Sequence, residues 1–154
     1  MGLGNNSSGQ IFWATSQQGV QLGLIVRSGY PVSGVEFLTP DTFGQQLALM
    51  QRPKGEVIQP HIHLPVNREL NGTQEVIIMK SGRMRVDFFE DTRDYVGSTV
   101  LEAGDIALMN SGGHGFELLE DSVFIEVKQG PFVEGKDKVR FTSDYQGALR
   151  ELAP

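Results

Sequence analysis

The feature that most constrains the fold of this chain is a series of short apolar runs broken by turn-forming residues. Runs such as IFWA, VQLGLIV, GVEFL, DIALM and VFIEV are separated by SGYP, TPDTFG, RPKG, EAGD and NSGGHG. Strands in globular proteins have about this length, and Gly, Pro, Asn and Asp commonly end them. The pattern therefore predicts an all-β fold of antiparallel strands, arranged as a sandwich or a barrel.

One segment departs from this pattern. The stretch SDYQGALRELA, residues 143–153, has a candidate N-cap in Ser143 followed by a short amphipathic run. It predicts a short C-terminal helix. No internal repeat or linker divides the rest of the chain, so we expect a flexible polar tail over residues 1–9 and a single domain over residues 10–154.

Composition excludes several classes of protein. The chain has no cysteine, which rules out disulfide scaffolds, thiol catalysis and Cys-ligated metal sites. Its net charge of −6 without a basic block argues against a nucleic-acid partner. No apolar window approaches the roughly 20 residues of a membrane span, and no signal peptide is apparent. We therefore expect a cytoplasmic protein without a membrane partner.

The segment EVIIMK-SG-RMRVDFF predicts a hairpin with a two-residue turn, in which Lys80 pairs with Arg83. Side chains alternate between the two faces of a strand. The inner face is therefore predicted to carry Glu75, Ile77, Met79, Met84, Val86 and Phe88. Glu75 is the one carboxylate on this apolar face. Because a buried charge without a partner is costly, Glu75 should be paired or bound to a metal.

Two of the three histidines in the chain occupy alternate positions of EVIQPHIH, a predicted strand. Residues i and i+2 of a strand share a face, so His61 and His63 can converge on one ion. Glu75 from the next strand could be a third ligand. His114, in the predicted turn NSGGHG, could be the fourth. Three imidazole nitrogens and one carboxylate oxygen suit Fe, Mn, Ni, Co or Zn and leave coordination positions for a substrate.

Each of these residues also has a simpler interpretation. The two histidines could be ordinary polar strand residues, Glu75 could pair with an arginine, and His114 could be a loop residue. The metal site, however, accounts for every histidine and for the one inward carboxylate. We therefore predict one divalent transition metal (Fe, Mn, Ni, Co or Zn) and no organic cofactor.

These residues resemble the first motif of the cupin superfamily, which is Gly, five residues, His-x-His, three or four residues, Glu, six residues, Gly. Here Gly55 precedes His61 and His63 by the expected spacing, and six residues separate Glu75 from Gly82. The departure lies between the two halves of the motif, where eleven residues stand between His63 and Glu75.

The second cupin motif is Gly, five residues, Pro-x-Gly, two residues, His, three residues, Asn. The stretch from Gly104 to His114 resembles it with one residue deleted, with Asn110 in place of Pro and Leu118 in place of the final Asn. The resemblance covers about residues 45–128. Outside that core, EVKQGPFVEGKDKVRF is similar to a segment of small bacterial and archaeal cupins.

The resemblance implies a cupin-type jelly-roll barrel of antiparallel strands, which the short helix predicted above would follow, and a mononuclear metal site. On this resemblance the protein is expected to be a small single-domain metal-binding cupin. We expect it to be a metal-dependent enzyme that acts on a small polar metabolite, with dioxygenase-type chemistry favoured. The alternatives are a sugar or hydroxy-keto isomerase or epimerase, in surface-polysaccharide metabolism for example, and a non-catalytic metal-dependent binding module. No residue is designated as catalytic.

Four further residues are candidate substrate contacts. Gln59 shares the predicted face of the histidines, and Met84 lies on the predicted inner face. Arg68, in the inserted stretch, could clamp a carboxylate or phosphate, although it could instead pair with Glu69. Phe116 could wall the pocket beside His114 or belong to the core.

We also expect a homodimer. The N-terminal strands exceed what a minimal barrel needs, and Ile58 and Ile62 give the predicted histidine strand a second, apolar face. Either those N-terminal strands or a neighbouring subunit should cover it.

Overall fold

A computed structural model describes residues 9–70, 72–145 and 147–152. These residues form antiparallel β-structure and no helix, so the all-β prediction is confirmed. The first five strands are β1 (Ile11–Thr15), β2 (Gln21–Val26), β3 (Val35–Phe37), β4 (Ala48–Met50) and β5 (Glu75–Ser81). The remaining strands are β6 (Met84–Phe89), β7 (Tyr95–Leu101), β8 (Ile106–Met109), β9 (Gly113–Leu118) and β10 (Val123–Lys128).

The chain divides into two compact units. The first consists of Met1–Tyr30 with Gly72–Pro154, and the second of Pro31–Asn71. The first unit holds a five-stranded sheet in the order β1-β2-β8-β5-β10 and a three-stranded sheet in the order β7-β6-β9. The second unit holds the antiparallel pair β3–β4. The expectation of one domain over residues 10–154 stays a prediction, and residues 1–8 of the expected tail lie outside the described residues.

The core of the first unit lies between the inner faces of its two sheets. It contains Phe12, Ala14, Leu22, Ile25, Ile77, Met79, Met84, Val86, Phe88, Val96, Leu101, Ala107 and Met109. The packing at Gly23 is so close that a Cβ atom there would overlap the Phe88 ring and lie 2.9 Å from the Leu108 carbonyl oxygen. The edge strands of these sheets include β9 and β10, and a closed barrel is not formed among the described residues.

The predicted hairpin is wrong about which strands pair but correct about which side chains face the core. Strand β5 pairs with β8 and β10, whereas β6 pairs with β7 and β9, so the chain crosses between sheets at Ser81–Arg83. Lys80 and Arg83 are consequently not strand partners. The predicted inner residues Ile77, Met79, Met84, Val86 and Phe88 are nevertheless all buried. Alternation between faces depends on the strand itself and holds whichever strand lies alongside.

The predicted C-terminal helix is wrong for residues 143–145 and 147–152, and Gln146 and Ala153 lie outside the described residues. Here the backbone runs alongside β7: the Ser98 amide donates to the Arg150 carbonyl at 2.7 Å, and the Leu152 amide donates to the Ser98 carbonyl at 2.7 Å. Leu152 packs against the core. A short helix is marginal on its own, so these tertiary contacts outweigh its local preference.

The segment that carries His61 and His63 was predicted to be a strand, and this prediction is wrong. Residues 51–70 contain no strand and are exposed along their length. Pro53, Pro60 and Pro65 offer no backbone N–H, which removes donors that a paired strand would need.

None of the described residues belongs to a helix with the length and apolarity needed to cross a membrane.

Candidate functional site

The site is centred on Glu75 and His114, which face each other from the two sheets of the first unit. Glu75 is the first residue of β5 and points inward as predicted, with only 9% of its surface exposed. His114 was predicted to lie in a turn, but it lies within β9, in register with Phe88 of β6. This places its imidazole on the inner face, where Nε2 lies 3.0 Å from Glu75 Oε2.

Lys128 is a third member of this cluster that the sequence reading missed. It is the register partner of Glu75 across the β5–β10 ladder. Its Nζ atom lies 3.5 Å from Glu75 Oε1 and 2.8 Å from Glu126 Oε1. The signal was present in the sequence, because alternation along VFIEVK places Phe124, Glu126 and Lys128 on one face of β10.

The contacts shift two pKa values in opposite directions. The hydrogen bond from His114 is the main cause that lowers the pKa of Glu75; burial opposes it, and the charges of His114 and Lys128 reinforce it. The pKa of Lys128 is raised, chiefly by its hydrogen bond to Glu126. The site therefore holds an ionised carboxylate beside an ionised ammonium at neutral pH.

The Glu75–His114 pair has a geometry that a metal ion could use. Transition-metal ligands of these types lie about 2.0–2.2 Å from the ion, so two of them at right angles are about 3 Å apart. The 3.0 Å between Glu75 Oε2 and His114 Nε2 matches that separation. Within the described residues, no group of three or more His, Cys, Asp or Glu side chains is arranged to hold a metal.

The other two predicted ligands lie in the second unit, close to each other. The rings of His61 and His63 have centroids 5.1 Å apart and meet edge to face. His61 Nδ1 lies 3.0 Å from the Gln59 carbonyl oxygen, a contact in which Nδ1–H donates. Such a bond leaves the Nε2 lone pair available, which is the usual arrangement of a metal-binding histidine. Each unit thus brings together two of the four predicted ligands.

The candidate substrate contacts are distributed differently. Phe116 lies beside His114 with ring centroids 5.3 Å apart and is 37% exposed, so it flanks the site. Met84 is completely buried in the core. Gln59 and Arg68 are exposed residues of the second unit.

Comparison of the chain with models of protein families, with curated proteins and with solved structures finds no match.

Proposed function

We propose that this protein is a metal-binding cupin-type jelly-roll protein in which His61, His63, Glu75 and His114 hold one divalent transition metal. The observation that carries the proposal is the contact between Glu75 and His114. An ionised carboxylate and an imidazole nitrogen approach to 3.0 Å on an inner face that also carries the apolar residues of the core. Burying a charge in such a place is costly unless it is paired or coordinates a cation.

Two local features support the motif assignment. Gly55 and Gly104, which open the two motifs, have φ angles of 90° and 89°, in the left-handed region that favours glycine. The contact from His61 Nδ1–H to the Gln59 carbonyl leaves the other ring nitrogen, Nε2, with a free lone pair as a potential ligand. The assignment of the two-sheet fold to the cupin-type jelly roll belongs to the same proposal.

The proposed reaction is oxygenase-type chemistry on a small polar metabolite. A bound divalent ion would supply Lewis acidity and, as iron, a position for O₂. The chain's own residues orient the ligands and shield the site from water. His114 holds the Glu75 carboxylate in its ionised form, and the buried side chains of Ile77 and Met79 on the same strand keep water from the inner face. Phe116 provides an apolar wall beside His114.

Isomerisation of a sugar or hydroxy-keto compound is the second candidate. It is favoured by one observation, the ammonium of Lys128 next to Glu75. Lys128 is not among the proposed ligands, and it could stabilise a negatively charged oxygen or deliver a proton.

The test is elemental analysis of the untagged protein and three variants, before and after reconstitution with metal. We expect about one equivalent of metal in the wild type and a loss of that metal in His61→Ala and Glu75→Gln. Glu69→Gln is the matched control, because Glu69 is an exposed glutamate in the stretch between His63 and Glu75, and it should retain the metal.

Negligible metal in the reconstituted wild type would contradict the proposal. If the metal is present, O₂ uptake by the iron-loaded protein with small hydroxy and keto compounds distinguishes the reactions. Uptake supports an oxygenase, whereas substrate interconversion without uptake supports an isomerase. Binding without turnover identifies a non-catalytic module.

We also propose that the protein is a homodimer. Leu118, Val123, Ile125 and Val127, on edge strands β9 and β10, are between 44% and 56% exposed. Apolar residues on unpaired sheet edges commonly mark association surfaces. Light scattering at low micromolar concentration tests this proposal, and a purely monomeric species would contradict it.

A further inference from the structure

Strand β10 is the last strand of the five-stranded sheet, and no further strand of the described residues pairs with its outer edge. The β7 edge of the other sheet, by contrast, is covered by residues 150–152 of the chain itself. Because Lys128 is the register partner of the inward-pointing Glu75, the alternate residues of β10 face outward. They form an aliphatic row whose side chains are 56%, 44% and 47% exposed: Val123, Ile125 and Val127.

The aliphatic row is self-complementary, because Val, Ile and Val at alternate positions read the same from either end of the strand. When two copies of β10 pair antiparallel about a twofold axis through Ile125 and perpendicular to the sheet, Ile125 lies opposite its own copy. Val123 then lies opposite Val127. Directly opposed side chains share a face and have Cβ atoms about 4.5–5.5 Å apart, so every member of the row meets an aliphatic partner. Self-complementarity of this kind is what a twofold interface requires.

The charges of the strand favour the antiparallel direction. The turn before β10 carries Glu120 and Asp121, and the strand ends at Lys128, its one cation. Antiparallel pairing about Ile125 places the acidic turn of one copy near Lys128 of the other, with Glu120 on the diagonal from Lys128. Long side chains reach across such a diagonal of about 7–8 Å. Parallel pairing in register would place Lys128 beside Lys128, and like charges directly opposite each other are destabilising.

The charges also fix the register of the two strands. Moving the axis by one residue to Glu126 would bring the Glu126 carboxylates of both copies opposite each other. Moving it to Phe124 would bring Val127 opposite Asp121. Only the axis at Ile125 keeps the aliphatic row together and separates the like charges.

We propose that two copies of this chain associate edge to edge through β10, pairing antiparallel about a twofold axis at Ile125. The two five-stranded sheets then form one continuous sheet with five strands from each copy. The pairing gives partners to the main-chain donors and acceptors on the outer edge of β10 and brings the two aliphatic rows into contact. This inference rests on the proposed homodimer and specifies its interface, and it requires no bound metal or ligand.

The test uses disulfide cross-linking, which is specific here because the chain has no cysteine of its own. The variants are Ile125→Cys, Val123→Cys, Val127→Cys and the double variant Val123→Cys/Val127→Cys. Val139→Cys is the control, because Val139 is an aliphatic residue that is 77% exposed and lies outside the strands. Light scattering of each reduced protein gives its oligomeric state. The rate of cross-linking on oxidation is then followed by non-reducing gel electrophoresis.

We expect every reduced variant to be a dimer. Ile125→Cys and the double variant should cross-link at least about tenfold faster than Val139→Cys, because paired neighbours meet at an effective concentration near the millimolar range. The Cα atoms of directly opposed residues are about 4.5–5.5 Å apart, a separation that a disulfide spans. Val123→Cys and Val127→Cys alone should react as slowly as Val139→Cys, because each lies about 14 Å from its own copy.

A dimer in which Ile125→Cys cross-links no faster than Val139→Cys would overturn the inference and leave the proposed homodimer standing. Fast cross-linking of Val123→Cys or Val127→Cys alone would also overturn it, because the axis would then lie elsewhere. A monomeric wild type would contradict both the homodimer and its interface. If the double variant does not fold, the rate of Ile125→Cys against the three other single variants decides by the same criteria.

Discussion

The Glu75 carboxylate and the His114 imidazole lie 3.0 Å apart although the two residues are 39 positions apart in the chain. Glu75 belongs to the five-stranded sheet and His114 to the three-stranded sheet, so their contact joins the two inner faces of the first unit. Lys128 contacts the other oxygen of the same carboxylate. Apolar residues alone would stabilise the space between two strand layers. A polar cluster in that space is therefore typical of sites that bind ligands.

The Glu75 cluster predicts how stability depends on pH. The pKa of Glu75 is lowered from its ordinary value of 4.5, so its contribution is complete above that value and is lost as the pH falls through the folded-state pKa. The pKa of Lys128 is raised from 10.5, so its contribution is complete below that value and is lost as the pH rises through the folded-state pKa. We therefore expect a stability plateau between these two limits.

Urea unfolding of the metal-free protein at a series of pH values measures this dependence. Glu75→Gln should reduce the loss of stability on acidification, whereas Glu134→Gln, at an exposed position, should leave it unchanged. An acid limb that is equally steep in Glu75→Gln and wild type would contradict the assignment.

The crossing between the two sheets predicts that substitution of Gly82 by alanine lowers the free energy of unfolding strongly. Gly82 and Gly19 both have φ angles of 82°, so alanine is strained by the backbone at either position. At Gly82 the added Cβ would also overlap the Asp121 carbonyl oxygen, whereas at Gly19 it would meet nothing within 4 Å. We expect Gly19→Ala to cost about 1 kcal/mol and Gly82→Ala about 3 kcal/mol or more in unfolding free energy. Equal losses of unfolding free energy for the two variants in denaturant titrations would show that the backbone at the crossing shifts to make room for the added Cβ atom.

Met84 was a candidate substrate contact, and its complete burial predicts a structural role. Met84→Ala should lower the free energy of unfolding by about 2–5 kcal/mol, because it removes core contacts and leaves a cavity. Met50→Ala is the matched control: Met50 is 56% exposed, and its truncation should change stability by no more than about 0.5 kcal/mol. Similar midpoints for the two variants in urea unfolding would contradict this role.

The C-terminal segment predicts a contrast between two leucines three residues apart. Leu152 packs against the core and closes over Gly97, whereas Leu149 is 52% exposed. Leu152→Ala should destabilise the protein by about 2 kcal/mol and Leu149→Ala by about 0.5 kcal/mol or less. Thermal unfolding measures both. Equal effects would show that residues 147–152 do not hold their place along β7.

The alternation of side chains and the distribution of histidines predicted that Glu75 and His114 share a site, and the structure brings these two residues together. The alternation along β10 indicates which face carries Lys128, but its position beside Glu75 follows from the register of β10 on β5. The sequence also led to wrong expectations for the segment around His61, where an alternating pattern suggested a strand and three prolines withhold backbone donors. The apolar pattern is a property of side chains, whereas strand formation also requires a backbone partner.

The sequence by itself determined the all-β class and the faces of β5 and β6, because the lengths of apolar runs and the alternation of side chains are local properties of the chain. Only the tertiary structure decided which strands pair, how the C-terminal segment runs, and that Glu75, His114 and Lys128 meet. Those outcomes depend on contacts between residues far apart in the chain. Ser81–Arg83, which could have closed a hairpin, instead carries the chain from one sheet to the other, and the buried side chains of β5 and β6 pack into one core from the two sheets.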